Sequence, residues 1–139
     1  AKIKDLTKNV DIPVFANGDV NSIESAVSCL EKSKADGVAI GRGVLGNPDL
    51  IYRIEHYLNT GEKLPIMPLE EKIEILKLHL DEEIKLRGEL TGMQFFRKFY
   101  PYYINSVQNA AKFRAKLVVE EDYKTVLKIL DDICYSELV

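Results

Sequence analysis

Asp36-Gly37-Val38-Ala39-Ile40-Gly41-Arg42-Gly43-Val44-Leu45-Gly46-Asn47-Pro48 is the stretch that decides the fold. Its apolar run, Val38 to Ile40, reads as a short strand buried on both faces, the kind found in parallel sheets. The run stops at Gly41-Arg42-Gly43, where missing side chains let backbone N–H groups approach a ligand. Asn47 then reads as an N-cap and Pro48 as the first helical position, so a helix is predicted from Pro48 to Leu58. A strand that feeds glycines, an arginine and a helix start is suited to holding a phosphate. The spacing Gly41-x-Gly43-x-x-Gly46 also matches the dinucleotide-binding fingerprint. That fold needs a second strand about 20 residues on, ending in an acid. Around Glu62 the sequence is turn-rich and leads into a long helical pattern, so the phosphate cradle stands and the dinucleotide fold does not.

Upstream, Ile12-Pro13-Val14-Phe15-Ala16 is a second strand, with Pro13 tolerable near its start, and it runs into the polar turn Asn17-Gly18-Asp19. Asn21-Ser22-x-Glu24 opens a helix with a capping-box pattern; Ile23, Ala26, Val27 and Leu30 face inward and the helix ends near Lys34. Residues 1–10 read as the tail of a helix with Ile3, Leu6 and Val10 on one face. The chain starts without Met, the opening expected of a piece of something longer. The order helix, strand, helix, strand, helix is β/α alternation with a parallel sheet. Two parallel strands do not hide both faces, so they belong either to the edge of a larger sheet or to the last portion of a closed barrel. In a (β/α)8 barrel the loops after the final strands commonly bind phosphate, which suits both polar turns.

Downstream, Asn59-Thr60-Gly61 closes the last of these helices and Leu64-Pro65-Ile66-Met67-Pro68 reads as a linker. The alternation then ends. Leu69, Ile73, Leu76, Leu80 and Ile84 mark a helix of about 20 residues, stopped by Gly88. A second helix is predicted from Gly92 to Ile104, strained or broken by Pro101, and a third from Gln108 to Lys116. A fourth starts at Glu120, with Glu120-Glu121-Asp122 as an acidic first turn and Tyr123, Val126, Leu127, Leu130 and Ile133 on the buried stripe. The expected organisation is α/β over residues 1–60, a linker over 61–68 and an all-α four-helix bundle over 69–139.

The apolar fraction of 46% over 139 residues is that of an ordinary globular chain and argues against disorder. Cys29 and Cys134 read as buried small hydrophobes in a reducing compartment, no run is long enough to span a bilayer, and a cytoplasmic location is expected. His56 and His79 have no ligand partners at metal spacing, so no metal site is expected and both read as surface or packing residues. The net charge of −3 by itself predicts no polyanion partner. Its distribution does. From Leu90 to Val119 there is no Asp or Glu, while Arg97, Lys98, Lys112, Arg114 and Lys116 lie among seven aromatic residues. The aromatics read as bundle core; the charges read as phosphate contacts to nucleic acid.

Ile12-Pro13-Val14 with Asn17-Gly18-Asp19, and Asp36-Gly37-Val38 with Ile40-Gly41-Arg42-Gly43 and Gly46-Asn47-Pro48, closely resemble the end of the barrel in tRNA-dihydrouridine synthases. Arg97-Lys98, Tyr102-Tyr103, Ala110-Ala111 and Arg114 resemble that family's helical-domain signature. Departures are Phe99 in place of a histidine, Ser106 and Gln108-Asn109 in place of a Gly and a Pro-Gly, and Pro101. Ser106 and Gln108-Asn109 imply a differently shaped turn facing tRNA. The resemblance implies the last two β/α units of a (β/α)8 TIM barrel plus a helical tRNA-binding domain, from a flavoenzyme that uses FMN and NADPH to reduce uridine to 5,6-dihydrouridine in tRNA. It implies FMN contacts from Asn17, Gly18, Asp19, Gly41, Arg42 and Gly43, with the rest of the barrel as partner. The family's catalytic cysteine lies on an earlier barrel loop; Cys29 and Cys134 are expected outside the site, so the chain alone is expected to be inactive. Other readings are a free-standing RNA-binding helical module, or another phosphate-binding barrel enzyme.

Overall fold

The computed structural model describes residues 2–136, which fold as two compact units divided between Ile66 and Met67. The first holds helix α1 (Lys2–Thr7), strand β1 (Phe15–Asn17), helix α2 (Ile23–Ser33), strand β2 (Gly37–Ala39), a single 3₁₀ turn at Arg42–Val44 and helix α3 (Leu50–Thr60). Strands β1 and β2 pair in parallel, Phe15 opposite Gly37 and Asn17 opposite Ala39, with α2 as the crossover such a pair requires. Asp36 extends the ladder: its backbone N–H donates to the Val14 carbonyl (2.9 Å) and its carboxylate accepts from Val14 N–H (2.8 Å). Val20, Ile23, Ala26, Leu50 and Ile54 form the core beside the strands.

The expected burial of both sheet faces is not what the chain shows. Strand β2 is only half-buried, and Phe15 and Ile12 are 64% and 71% exposed. Helices α2 and α3 supply cover from one side, and a two-stranded sheet has nothing of its own for the other. The capping box on α2 also differs in partner. Ser22 and Ser25 cap each other reciprocally, and Glu24 instead pairs with Lys63 at 2.6 Å, a hydrogen bond that holds its carboxyl down at about 2. Lys63, Glu62 (3.3 Å from His56) and Gly61 are thus tied by their contacts to the first unit, and the division between the units falls after Ile66, within residues 61–68.

The second unit contains α4 (Leu69–Arg87), α5 (Glu89–Phe96), α6 (Tyr100–Tyr103), α7 (Ala110–Val119) and α8 (Tyr123–Ser136). The stripe Ile73, Leu76, Leu80 is fully buried, with Phe96, Tyr100, Leu117, Val126, Leu130 and Ile133 closing over it. Helix α4 ends at Gly88, as its sequence requires. The helix predicted over residues 92–104, with Pro101 expected to strain or break it, is broken into two helices, so the described residues of this unit hold five helical segments where four were expected. The break falls over Arg97–Phe99, ahead of Pro101, because a proline ring clashes with the carbonyl four residues before it. Glu120 and Glu121 precede α8 instead of forming its first turn. Asp122 caps it, accepting from Thr125 N–H (2.8 Å) and Thr125 Oγ1 (2.7 Å), bonds that lower the Asp122 pKa. Among the described residues no helix is long and apolar enough to cross a membrane.

Candidate functional site

Both polar turns leave the carboxyl ends of the parallel strands, so they lie side by side. Asn17 ends β1, and Asp19 then takes a left-handed conformation (φ 47°), which a short polar side chain tolerates. The second turn is locked to the first through backbone. A Cβ on Gly43 would sit 1.9 Å from the Val20 carbonyl oxygen, so only glycine fits there. The absent side chain at Gly43, read from sequence as room for a ligand, is room for Val20.

A buried ion pair finishes the scaffold. Arg53, at the first turns of α3, is only 7% exposed; its Nε donates to Asp49 (2.6 Å) and its Nη2 to Asn47 Oδ1 (2.8 Å). Asn47 Nδ2 in turn donates to the Asn21 carbonyl (3.5 Å), across to the other turn. With Asn47 and Asp49 so engaged, neither side chain caps α3, which starts at Leu50 rather than Pro48. Arg53 escaped the sequence reading, although an acid four residues before an arginine is a recognisable helical pair.

The scaffold leaves a bare, charged rim. Nothing lies within 4 Å of a Cβ built on Gly18 or Gly41. The Arg42 and Asp19 side chains are 86% and 93% exposed, with Arg42 Nη2 3.7 Å from Asp19 Oδ1, beyond hydrogen-bonding distance. Arg42 thus faces a carboxylate without being held by it. Asn17 and Gly18 also line an open cavity of about 630 Å³, walled by Ile3 and by Ser25, Ser28, Cys29, Lys32 and Ser33 of α2. Cys29 of α2 borders this cavity with Asn17 and Gly18, while packing against the first unit's core.

In the second unit the five basic residues singled out by sequence separate into two sets. Arg114 is half-buried and donates from Nη1 to the Ile104 carbonyl (2.6 Å), tying α7 to the end of α6. Asn109, at the start of α7, adopts φ 57°, the left-handed conformation that a glycine takes without strain. Arg97, also half-buried, reaches Glu121 only at 4.0 Å and leaves a buried Nε without a partner. Lys98, Lys112 and Lys116 are exposed. His79 is a packing residue: its ring centroid lies 4.8 Å from those of Phe96 and Phe99, its Nδ1 is 3.3 Å from Tyr103 Oη, and burial lowers its pKa. Among the described residues no group of three or more His, Cys, Asp or Glu is placed to hold a metal ion.

The family model for dihydrouridine synthase (Dus) matches residues 1–138. The chain belongs to the dihydrouridine synthase family. It is 40% identical over 120 residues to a probable tRNA-dihydrouridine synthase of Rickettsia bellii, an alignment covering 86% of this chain and 37% of that protein. To tRNA-dihydrouridine synthase B of Pseudomonas aeruginosa it is 43% identical over 107 residues, covering 77% and 32%. To tRNA-dihydrouridine synthase B of Shewanella oneidensis it is 36% identical over 135 residues, covering 94% and 42%. The chain thus spans about two fifths or less of the length of the relatives it matches.

Proposed function

We propose that the chain is the C-terminal part of an FMN-dependent tRNA-dihydrouridine synthase, contributing the phosphate end of the flavin site and a tRNA-binding helical domain. The observation that carries the first half is the rim built by the two turns. It presents the Arg42 guanidinium beside Asp19 and two stretches of backbone bare at Gly18 and Gly41, while Asn17 and Gly18 also border the open cavity on the α2 side. That donor set fits a phosphate. In this reading Arg42 and the Gly41 amide hold the FMN phosphate, Asn17 and Gly18 border it, and Asp19 orients Arg42 or accepts from a ribityl hydroxyl. Gly43 contributes chiefly by keeping the turns in contact. FMN, when bound, supplies the electrons that reduce the uridine C5–C6 bond, with NADPH as the ultimate reductant.

The exposed Phe15 and Ile12 and the half-buried β2 are then the faces that the remaining strands of a (β/α)8 barrel cover. In such a barrel the phosphate site falls at the loops after the last strands, where these turns lie. The second unit is the bundle-like tRNA-binding part, with Lys98, Lys112 and Lys116 as phosphate contacts and Arg97 and Arg114 as framework. Measuring flavin retained by the longer protein after Arg42→Ala tests the cradle. Loss of most of the FMN is expected, together with loss of dihydrouridine in tRNA. Unchanged flavin content would place the phosphate elsewhere.

A further inference from the structure

Phe95 on α5 carries a cation on each face of its ring. The Arg87 guanidinium carbon lies 3.8 Å from the ring centroid and Lys98 Nζ 3.5 Å from it. Two groups that close to one centroid do not fit on the same face without overlapping, so the ring is sandwiched, with the charges at most about 7 Å apart, the two ring distances laid end to end. Arg87 comes from the last turn of α4 and is fixed there. Its Nε donates at 2.6 Å to Glu83, whose side chain is 16% exposed and whose other carboxylate oxygen lies 4.0 Å from His79 Nε2. Glu83 engages Arg87 through Nε, which leaves the two Nη groups for a second acceptor. Lys98 is exposed and has no ion pair among the described residues. Arg87 lies outside the acid-free segment, which is why charge patterning missed it.

We infer that Arg87, Phe95 and Lys98 form a preassembled contact for two phosphates of an RNA backbone, with Glu83 as the positioning residue for Arg87. The inference rests on the proposed tRNA-binding role of this unit and names the residues that carry it. A ring covered on both faces offers no platform for a base, so the contact adds affinity without reading sequence. Holding both cations on a rigid ring removes the side-chain entropy that a free lysine loses on binding.

The test is tRNA binding by the full chain, titrated with salt, for the parent, Arg87→Ala, Lys98→Ala, Phe95→Leu, Glu83→Gln and a Lys112→Ala/Lys116→Ala control. Arg87→Ala and Lys98→Ala are expected to weaken binding several-fold and each to lower the slope of log affinity against log salt by about 1. Phe95→Leu changes no charge yet is expected to weaken binding several-fold, and Glu83→Gln combined with Arg87→Ala should bind no more weakly than Arg87→Ala alone. If the Arg87, Lys98 and Phe95 variants bind like the parent while the control weakens, the inference falls and the RNA-binding reading stands. If the Arg87 and Lys98 variants weaken but Phe95→Leu does not, the preassembled clamp is refuted. A parent that fails to bind tRNA at low salt removes both.

Discussion

Substituting the two glycines of one turn separates scaffold from site. In Gly43→Ala the new Cβ would meet the Val20 carbonyl oxygen at 1.9 Å, the Val20 carbonyl carbon at 3.0 Å and Asn21 Cα at 3.2 Å. The obstacle is backbone, so relief needs the 17–22 turn to retreat by about 1 Å, carrying the buried Val20 with it. Overpacking of this kind costs about 1–3 kcal/mol. Against it, replacing Gly by Ala stiffens the unfolded chain and returns about 0.4–1 kcal/mol. The clash wins, leaving a net loss of about 1–2 kcal/mol, or about 5–30-fold in the local opening equilibrium. Gly41→Ala meets nothing within 4 Å and is expected to stay within about 0.5 kcal/mol of the parent. The assay is amide hydrogen exchange followed by mass spectrometry on peptides spanning residues 14–24 and 41–54, which reports local opening directly. Gly43→Ala should lose protection in both peptides and Gly41→Ala in neither, while Gly41→Ala, by filling the bare rim, should weaken FMN binding in the longer protein. Unchanged protection in Gly43→Ala would refute the claim that backbone contact with Val20 fixes the cradle.

Asp49→Ala leaves Arg53 buried without its carboxylate and is expected to destabilise the first unit by about 3–5 kcal/mol, seen as lost exchange protection through the start of α3. Arg114→Ala should raise exchange at the α6–α7 connection and lower the melting temperature of the second unit, whereas Lys112→Ala should leave melting unchanged and weaken tRNA binding; equal melting for both would remove the structural role given to Arg114. Burial lowers the His79 pKa, so the unfolded chain binds a proton more readily than the folded one between the folded value and the ordinary 6.5. Stability of the second unit should therefore be complete above pH 6.5 and fall as pH drops through that window. His79→Gln, measured by urea unfolding at pH 5 and pH 7.5, should flatten this dependence.

Periodicity made most of the helical framework legible. The stripe from Leu69 to Ile84 is bounded by Pro68 and Gly88, so α4 appears in the structure with the limits its sequence sets. Local signals went wrong where a side chain had a distant partner. Asn47 has the residue type of an N-cap, but Arg53 and Asn21 take its amide group; Glu24 completes a capping-box pattern, but Lys63 takes its carboxylate. The same limit governs charge. Arg97, Lys98, Lys112, Arg114 and Lys116 are equivalent when counted, yet Arg114 is occupied by the Ile104 carbonyl and Arg97 is drawn inward, while Arg87, outside the counted window, is held at the surface by Glu83. A cation is available to a phosphate only to the degree that its own fold has not already given it an acceptor. Composition reports that a basic face exists; only the hydrogen-bond partners show which of its members remain to bind.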